Sequence, residues 1–266
     1  MDLGLKDRVY VVTGATRGLG HASAAALVAD GAKVVITGRT QEAATEAAAA
    51  LGGNAVGGNA VGGNAVGGNA VGVGADNADP AAAQRLVDTA RERFGRFDGI
   101  LISVGGPAPG TAASSTDEQW QAAFDAVFLG AVRLARTAAA ALGEGGAIGF
   151  VLSGSVHEPI GGLTISNGLR PGLAGFAKSL ADEVGPRGIR VLGLLPGRIA
   201  TDRLRQLDGL APDPAAARAA AESRIPLGRY GSPEEFGRVA AFALSPAASY
   251  LTGVMLPVDG GALRSF

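Results

Sequence analysis

The stretch TGATRGLG, residues 13–20, decides the fold that this sequence predicts. It follows the β-branched run VYVV, residues 9–12, and it opens into an alanine-rich stretch that predicts a helix over residues 18–29. Its three glycines permit a tight turn, a close approach of the backbone to a pyrophosphate, and packing of the helix on the strand. The helix N-terminus behind such a turn attracts negative charge. The order of strand, turn and helix therefore indicates a dinucleotide-binding unit.

Short β-branched runs alternate with helical stretches along the rest of the chain. Strands are predicted at RVYVVTG, KVVITGR, GILISVG, AIGFVLSG, IRVLGLLPG and VMLPVDGG, with one more strand before residue 76. Helices are predicted over residues 18–29, 41–51, 80–94, 117–142, 170–184 and 233–244, and a helical flap over 202–224. This alternation predicts an α/β, three-layer Rossmann fold: a doubly wound parallel sheet of about seven strands.

Composition narrows the classes of function. The 266 residues suit a single domain over 1–266. A net charge of −1 without a Lys/Arg run argues against a nucleic-acid partner. Cysteine is absent and His21 and His157 are the only histidines, so no metal site is expected. We find no targeting signal and no apolar run of membrane-spanning length, so we expect a cytoplasmic protein.

The pentapeptide GGNAV occurs four times in tandem over residues 52–71. Because its period is odd, successive copies would present their Ala-Val pairs to opposite sheet faces, and the four copies cannot form one regular strand. We expect one copy to enter the third strand and the other three, residues 52–66, to be an insertion in the preceding loop. The main alternative to a loop without function is an oligomer contact.

The end of the second predicted strand bears on the choice of nucleotide. An NAD-specific site would carry an acidic residue here for the ribose hydroxyls, whereas this chain has Gly38 followed by Arg39. No carboxylate repels a 2′-phosphate, and Arg17 and Arg39 are placed to meet one. Alone, either arginine is equally consistent with a solvated surface charge. Together they favour NADP(H) over NAD(H).

With these motifs in place, the chain resembles the short-chain dehydrogenase/reductase family, of the type that includes 3-oxoacyl-carrier-protein reductases. TGATRGLG matches the family's TGxxxGxG, GADNADP its adenine segment, and LLPGRIAT its nicotinamide segment. IPLGRYGSPEEF and SYLTGVMLPVDGG are similar to its C-terminal stretches. The resemblance implies a small-molecule substrate, a homo-oligomer (dimer or tetramer), and these cofactor-binding residues: Gly14, Thr16, Arg17, Gly18, Leu19, Gly20, Arg39, Asp76, Asn77, Val104, Gly105, Arg170, Pro196, Gly197, Ile199 and Thr201.

The catalytic positions depart from the family pattern of Asn, Ser, Tyr and Lys. Ser155 is identified with the serine, with Ser153 as the alternative. Alignment of GLAGFAKSLA places Ser166 at the tyrosine and Arg170 at the lysine, while Val127 replaces the asparagine. The family's NNAG after the fourth strand reads ISVG, residues 102–105. The resemblance therefore implies catalytic roles for Ser155, Ser166 and Arg170 with altered chemistry.

These replacements weaken proton donation in particular. A serine hydroxyl is a far weaker acid than a phenol, and the Ser166 side chain is shorter than tyrosine. An arginine keeps the positive charge and can bond ribose hydroxyls, but it does not exchange protons as lysine does, so Arg170 is expected to hold the cofactor. His157, two residues past Ser155, is the candidate replacement acid, against the alternative that it only lines the pocket. His21 is expected to pack rather than to contact phosphate.

Local signals also predict that the helix after Ser166 begins late. Asn167-Gly168 is a turn dipeptide, and Pro171 suits a first helical turn better than a helix interior. We therefore expect the helix to begin near Arg170. The leading hypothesis is an NADP(H)-dependent oxidoreductase that acts on a carbonyl or hydroxyl group with a degenerate active site. The alternative is a non-catalytic NADP(H)-binding sensor or interaction protein.

Overall fold

The computed structural model describes residues 1–52 and 68–265. Seven parallel strands form one sheet with the order β3-β2-β1-β4-β5-β6-β7. Their bounds are β1 Val9–Val12, β2 Lys33–Gly38, β3 Ala70–Gly74, β4 Gly99–Ile102, β5 Ala147–Val151, β6 Arg190–Pro196 and β7 Met255–Val258. The predicted doubly wound sheet is confirmed.

The strand order reverses direction between β1 and β4. The chain first builds the sheet outward from β1 to β3 and then returns to add β4 on the other side of β1. At such a switch point the loops that follow the two central strands diverge, and a crevice opens outside the carboxyl ends of the strands. Here the two loops are residues 13–17 after β1 and residues 103–107 after β4. This crevice is the default ligand site of the fold.

Helices cover both faces of the sheet. Alternate residues of β1 explain this, since Val9 and Val11 pack on one face while Tyr10 and Val12 pack on the other. The first face carries α3, α5 and α6, and the second carries α1, α2 and α9. The helix bounds are α1 Gly18–Ala29, α2 Gln41–Ala50, α3 Ala82–Phe94, α4 Asp117–Ala123, α5 Gly130–Ala141, α6 Thr164–Val184, α7 Asp202–Asp208, α8 Pro214–Glu222 and α9 Pro233–Leu244.

Side chains at the helix starts explain several of these bounds. Thr116 and Ser232 each form a capping box, with Gln119 and Glu235 respectively, which satisfies backbone N–H groups that the first helical turn leaves free. The predicted flap is confirmed as two short helices, α7 and α8, which Thr201 and Asp213 cap.

The long helix predicted over residues 117–142 is interrupted. Between α4 and α5 the backbone forms a π-helical segment over Phe124–Leu129, so the prediction of one regular helix was wrong in its middle. A π segment inserts one extra residue per turn and rotates the side chains that follow it. Val127, the residue at the asparagine position, lies buried within this segment.

The repeat reaches the sheet through its fourth copy. Ala70 and Val71 open β3 and pair with Val34 and Val35 of β2, as expected for the copy that enters the third strand. Of the predicted insertion, residues 52–66, all but Gly52 lie outside the described residues. The insertion itself therefore stays a prediction.

Candidate active site

The glycine-rich turn joins the ends of β1 and β4. Thr13 donates its hydroxyl proton to the Ser103 carbonyl at 2.8 Å and accepts from the Ser103 N–H at 2.9 Å. Gly14 has φ +57°, and a Cβ atom there would lie 2.5 Å from the same carbonyl oxygen. Only glycine meets both demands without moving the backbone. The turn is thereby held directly against the loop that follows β4.

The other two glycines set the path into α1. Gly18 begins the helix with φ +60°. A Cβ atom at Gly20 would lie 2.6 Å from the Gly14 carbonyl oxygen, so glycine is required for the helix to pack on the turn. Leu19 packs against the core beneath. The first helical turn of α1 thus points its free N–H groups toward the crevice.

Gly38 and Thr16 are in close contact at the end of β2. A Cβ atom at position 38 would lie 2.4 Å from the Thr16 methyl carbon. An acidic residue at position 38 would therefore displace Thr16 as well as add charge. Arg17 and Arg39 on either side are exposed, and neither forms an ion pair with any residue in the described ranges.

The segment after β3 folds as a tight loop at the same edge of the sheet. The Asp76 carboxylate accepts from the Ala78 N–H at 2.9 Å. Asn77 lies against the start of α5, where a Cβ atom on Gly130 would be 2.4 Å from the Asn77 carbonyl oxygen. After β4, Val104 packs on the core, while Gly105 is exposed and faces open space.

The segment after β6 completes the rim. Pro196 ends β6, and a Cβ atom on Gly197 would lie 2.5 Å from Asp259 Cβ. Ile199 is buried and forms a parallel bridge with Gly231. Thr201 caps α7, and its methyl carbon would be 3.7 Å from a Cβ on Gly18. The flap therefore begins directly above the glycine-rich turn.

Two buried serine hydroxyls meet beside this rim. The Oγ atoms of Ser155 and Ser166 lie 3.3 Å apart, and both residues are less than a tenth exposed. Ser155 belongs to a short 3₁₀ turn after β5, and Ser166 lies in the first turn of α6. Ser153, the alternative to Ser155, instead accepts from the Ser155 N–H with its hydroxyl. The geometry thus pairs Ser155, not Ser153, with Ser166.

Arg170 lies one helical turn after Ser166 and is buried. Its Nη1 donates to the Val151 carbonyl at the end of β5, at 2.7 Å. Its Nε is buried and makes no hydrogen bond to any described residue. Burial lowers the pKa of Arg170 to about 10, so the side chain stays charged at neutral pH. The result is a fixed buried cation with donors left over for a ligand.

The prediction that α6 begins near Arg170 was wrong, since the helix begins at Thr164 and continues through Pro171. Tertiary contacts override the local turn signals. The Asn167 side chain donates to and accepts from the Ile160 backbone, at 2.9 and 3.0 Å. Trp120 packs where a side chain on Gly168 would lie, since a Cβ there would be 2.7 Å from its ring. Arg170 therefore leaves the helix from its interior.

The two histidines differ in burial. His157 is exposed beside the 3₁₀ turn of Ser155, and its ring makes no hydrogen bond among the described residues. His21 is half-buried in the first turns of α1, and this burial lowers its pKa. The expected packing role of His21 is consistent with this position.

None of the tyrosine hydroxyls bonds to the serine pair, as far as the described residues extend. Tyr10 donates to the Leu244 carbonyl, and burial raises its pKa to about 12. Tyr230 donates to Asp208 in the flap, and Tyr250 is fully exposed.

Sequence reasoning missed one cation at the rim. Arg203, in the first turn of α7, donates from Nη2 to the Pro107 carbonyl at 2.7 Å. It therefore bridges the flap and the loop after β4. Arg203 follows Thr201 of the nicotinamide segment by two residues, and that closeness was the only sequence signal we had for it. Its contact with Pro107, 96 residues earlier, could not be predicted from the sequence.

Comparison with known proteins identifies the family. Residues 14–262 match the family described as enoyl-(acyl carrier protein) reductase. The 3-oxoacyl-(acyl-carrier-protein) reductase FabG of Salmonella typhimurium is 31% identical over 261 residues, covering 97% of this chain and 98% of that protein. The chain belongs to the short-chain dehydrogenase/reductase family. The short-chain reductase protein NovJ of Streptomyces niveus is also 31% identical, with 96% and 94% covered.

Solved structures of short-chain dehydrogenases/reductases share the whole fold. L-sorbose reductase from Gluconobacter frateurii, in complex with NADPH and L-sorbose, superposes with a TM-score of 0.88 at 29% identity, and each chain is covered completely. A short-chain dehydrogenase from Burkholderia cenocepacia in complex with NADP gives 0.83 at 31% identity, with 97% and 99% covered. The chain thus belongs to an oxidoreductase family with nicotinamide-nucleotide-bound members.

No helix within residues 1–52 and 68–265 is both long and apolar enough to cross a membrane. Over the same residues, no three His, Asp or Glu side chains are grouped so that they could hold a metal ion.

Proposed function

We propose that this chain is an NADP(H)-dependent oxidoreductase that acts on a carbonyl or hydroxyl group with weak or altered catalysis. The observation that carries the proposal is the buried Ser155–Ser166 pair, 3.3 Å between Oγ atoms, which lies just after β5 at the carboxyl edge of the sheet. Solved structures of similar chains are complexes with NADPH or NADP. The pair offers hydroxyl groups for a carbonyl oxygen. It lacks a group acidic enough to protonate that oxygen at neutral pH.

The residues present fit an NADP(H) molecule. Gly105 faces open space at the end of β4, so the backbone can approach a ligand there. Arg17 and Arg39 have no carboxylate partner among the described residues, and an acidic side chain at position 38 would have to displace Thr16. Unpaired guanidinium groups suit a 2′-phosphate, which they bind through charge-assisted hydrogen bonds. These features support NADP(H) over NAD(H).

The remaining cofactor assignments follow the crevice. The pyrophosphate would be held at the start of α1 by Gly14, Thr16, Gly18, Leu19 and Gly20. The adenine side would be held by Asp76 and Asn77. The nicotinamide side would be held by Val104, Gly105, Arg170 and the 196–201 segment. When bound, NADPH supplies the hydride.

Ser155 and Ser166 position the substrate carbonyl oxygen in this proposal. Each hydroxyl can donate one hydrogen bond, but the two hydroxyls also bond each other, so a bound oxygen competes with that contact. Arg170 lies one turn away and carries a positive charge in a buried environment, where electrostatic interactions are strong. It stabilises negative charge on the oxygen without giving up a proton. Charge stabilisation without efficient proton transfer predicts slow turnover.

His157 is the alternative proton donor. It follows Ser155 by two residues and is exposed. Histidine side chains titrate near neutral pH and serve as general acids when they reach the reacting oxygen. Here the ring makes no hydrogen bond to the serine pair, so a catalytic role requires it to turn toward the crevice when substrate binds.

A non-catalytic NADP(H)-binding protein is the second candidate. The observation that favours it is the same serine pair, because the described residues place no phenol or other strong acid beside it. Retained cofactor residues fit both candidates. Consumption of NADPH separates them, because a sensor binds the nucleotide and does not oxidise it.

The test of the cofactor proposal is a fluorescence titration with NADPH and NADH on wild type and Arg39→Ala. We expect NADPH to bind more tightly and Arg39→Ala to lose about 1 to 3 kcal/mol of NADPH binding, since one charge-assisted contact contributes about that much. NADH affinity should change little. Equal affinities for the two nucleotides in the wild type would refute the NADP preference. The same samples, incubated with a panel of ketones and aldehydes, test for NADPH oxidation.

A further inference from the structure

A cationic groove lies between α3 and α5, outside the residues proposed for cofactor and catalysis. Its cavity has a volume of about 620 Å³, within the range of small-molecule sites. Pro80 and Gln84 lie near the start of α3, and α5 supplies most of the other wall. The lining residues are Pro80, Gln84, Arg91, Arg133, Arg136, Thr137, Ala140 and Ala141.

Two of the three arginines are braced by backbone carbonyls. Arg133 donates from Nη1 to Ala78 at 3.1 Å, and Arg91 donates from Nη2 to Ala141 at 2.8 Å. Arg133 and Ala141 are separated along α5 by roughly 12 Å, at the rise of an α-helix. Because each guanidinium carries five N–H donors, both keep donors for a ligand. Bracing reduces the entropy that each side chain loses on binding.

The groove has no counter-charge of its own. Among residues 1–52 and 68–265, no ion pair involves Arg91, Arg133 or Arg136. Asp88 on α3 is the carboxylate that follows Gln84 by one helical turn, and it accepts from the Gln84 side chain at 2.8 Å. The other arginine on this part of α3, Arg85, is paired with Asp79. The three lining arginines therefore have no ion-pair partner among the described residues, whereas Arg85 does.

We propose that this groove binds a small molecule that carries a chain of phosphate groups. Guanidinium groups bind phosphate oxygens bidentately, and three of them lining one groove suit a ligand with several negative charges. The cavity volume of about 620 Å³ is large enough for a small molecule. None of the lining residues is among those proposed to hold the cofactor, so we expect this ligand to bind together with the nicotinamide nucleotide.

Isothermal titration of inorganic triphosphate into the full chain, saturated with NADPH, tests the site. We expect one binding event that leaves NADPH fluorescence unchanged. Arg133→Gln and Arg136→Gln should each raise Kd about tenfold, the effect of removing one charge-assisted contact. Arg85→Gln, on the same helix but paired with Asp79, should leave Kd unchanged. Arg136 makes no hydrogen bond to a described residue, so its substitution should not disturb folding, which the melting temperature checks.

Three results would overturn the proposal. The first is no heat at millimolar triphosphate. The second is an equal loss of binding in Arg85→Gln and Arg133→Gln, or displacement of NADPH, which would place the anion elsewhere. The third is a change of molar mass in light scattering for Arg133→Gln or Arg136→Gln, which would make the groove a contact between copies of the chain. None of these results depends on whether the protein oxidises NADPH.

Discussion

The methyl carbon of Thr16 occupies the space that a side chain on Gly38 would need, 2.4 Å from a Cβ atom at that position. This contact connects the glycine-rich turn to the end of β2, where nucleotide choice is decided in this fold. Sterics and charge therefore act at the same position. A pair of substitutions separates their contributions.

Gly38→Ala and Gly38→Asp should both weaken NADPH binding, and Gly38→Asp should weaken it further. Alanine adds only the clash with Thr16, whereas aspartate also places a negative charge beside Arg39 and a bound 2′-phosphate. We expect the aspartate variant to lose about tenfold more NADPH affinity than the alanine variant, about 1.4 kcal/mol. NADH affinity should fall less in Gly38→Asp than in Gly38→Ala, because a carboxylate at this position can accept hydrogen bonds from the ribose hydroxyls. Fluorescence titration measures all four constants, and equal losses of NADPH affinity would show that charge at position 38 does not matter.

Deletion of Gly52 to Val66 should leave the fold and NADPH binding intact. The deletion leaves a short loop between α2, which ends at Ala50, and β3, which starts at Ala70. The strand begins at the end of the sheet opposite the proposed cofactor edge, and loop-closure entropy changes slowly with length. Circular dichroism melting and light scattering measure the outcome. A fall in melting temperature of more than a few degrees, or a change of molar mass, would instead favour a structural or oligomer-contact role for the repeat.

Two glycines of α6 should respond oppositely to alanine. A Cβ at Gly168 would lie 2.7 Å from the Trp120 ring, while one at Gly175 meets nothing within 4 Å. Gly175→Ala should therefore raise the free energy of unfolding by about 0.5 to 1 kcal/mol, the helix preference of alanine over glycine. Gly168→Ala gains the same preference, but overpacking typically costs about 1 to 3 kcal/mol, so it should destabilise. Urea unfolding compares the two variants, and a similar gain in both would show that Trp120 moves aside freely.

Local sequence signals predicted the glycine-rich turn correctly but failed at the start of α6. The turn at Gly14 to Gly20 was predicted because much of what requires its glycines is local: Gly14 and Gly18 have positive φ, and a Cβ atom at Gly20 would lie 2.6 Å from the Gly14 carbonyl oxygen. The start of α6 was not, because the turn signals at Asn167 and Gly168 are overridden by Ile160 and Trp120, which no local pattern links to them.

The serine pair could be expected only through the family resemblance. Ser155 and Ser166 are eleven residues apart, and their contact depends on how the 3₁₀ turn meets α6. The π segment around Val127 and the bridge from Arg203 to Pro107 had no sequence signal that we recognised. The arginine groove joins residues more than forty positions apart in α3 and α5. Contacts between elements that are distant in the chain therefore could not be predicted from the sequence. The local backbone conformation of the glycine-rich turn could be predicted.

His157→Asn should leave NADPH binding unchanged and lower carbonyl reduction only if this histidine donates the proton. In that case the variant should reduce carbonyl substrates about 10² to 10⁴ times more slowly than the wild type, the usual contribution of a general acid. If the serine pair and Arg170 act alone, the rate should vary little with pH up to about 9, because Arg170 keeps its charge below its pKa of about 10. Single-turnover measurements over this pH range, on both proteins, distinguish the two cases.

Restoring the family's acid should accelerate the reaction. Wild-type turnover of typical family ketones should be slow, because Ser166 lacks the acid function and general acid catalysis typically contributes about 10² to 10⁴ in rate. Ser166→Tyr with Arg170→Lys supplies a phenol and an amine that lowers its pKa, in a helix that already begins at Thr164. Ser166→Phe with Arg170→Lys is the matched control, since it adds the ring without the hydroxyl and should stay slow. We expect kcat to rise at least tenfold in the tyrosine variant, with NADPH affinity retained in both. Fast turnover in the wild type that persists in His157→Asn would contradict this account and require a proton donor other than Ser166 and His157.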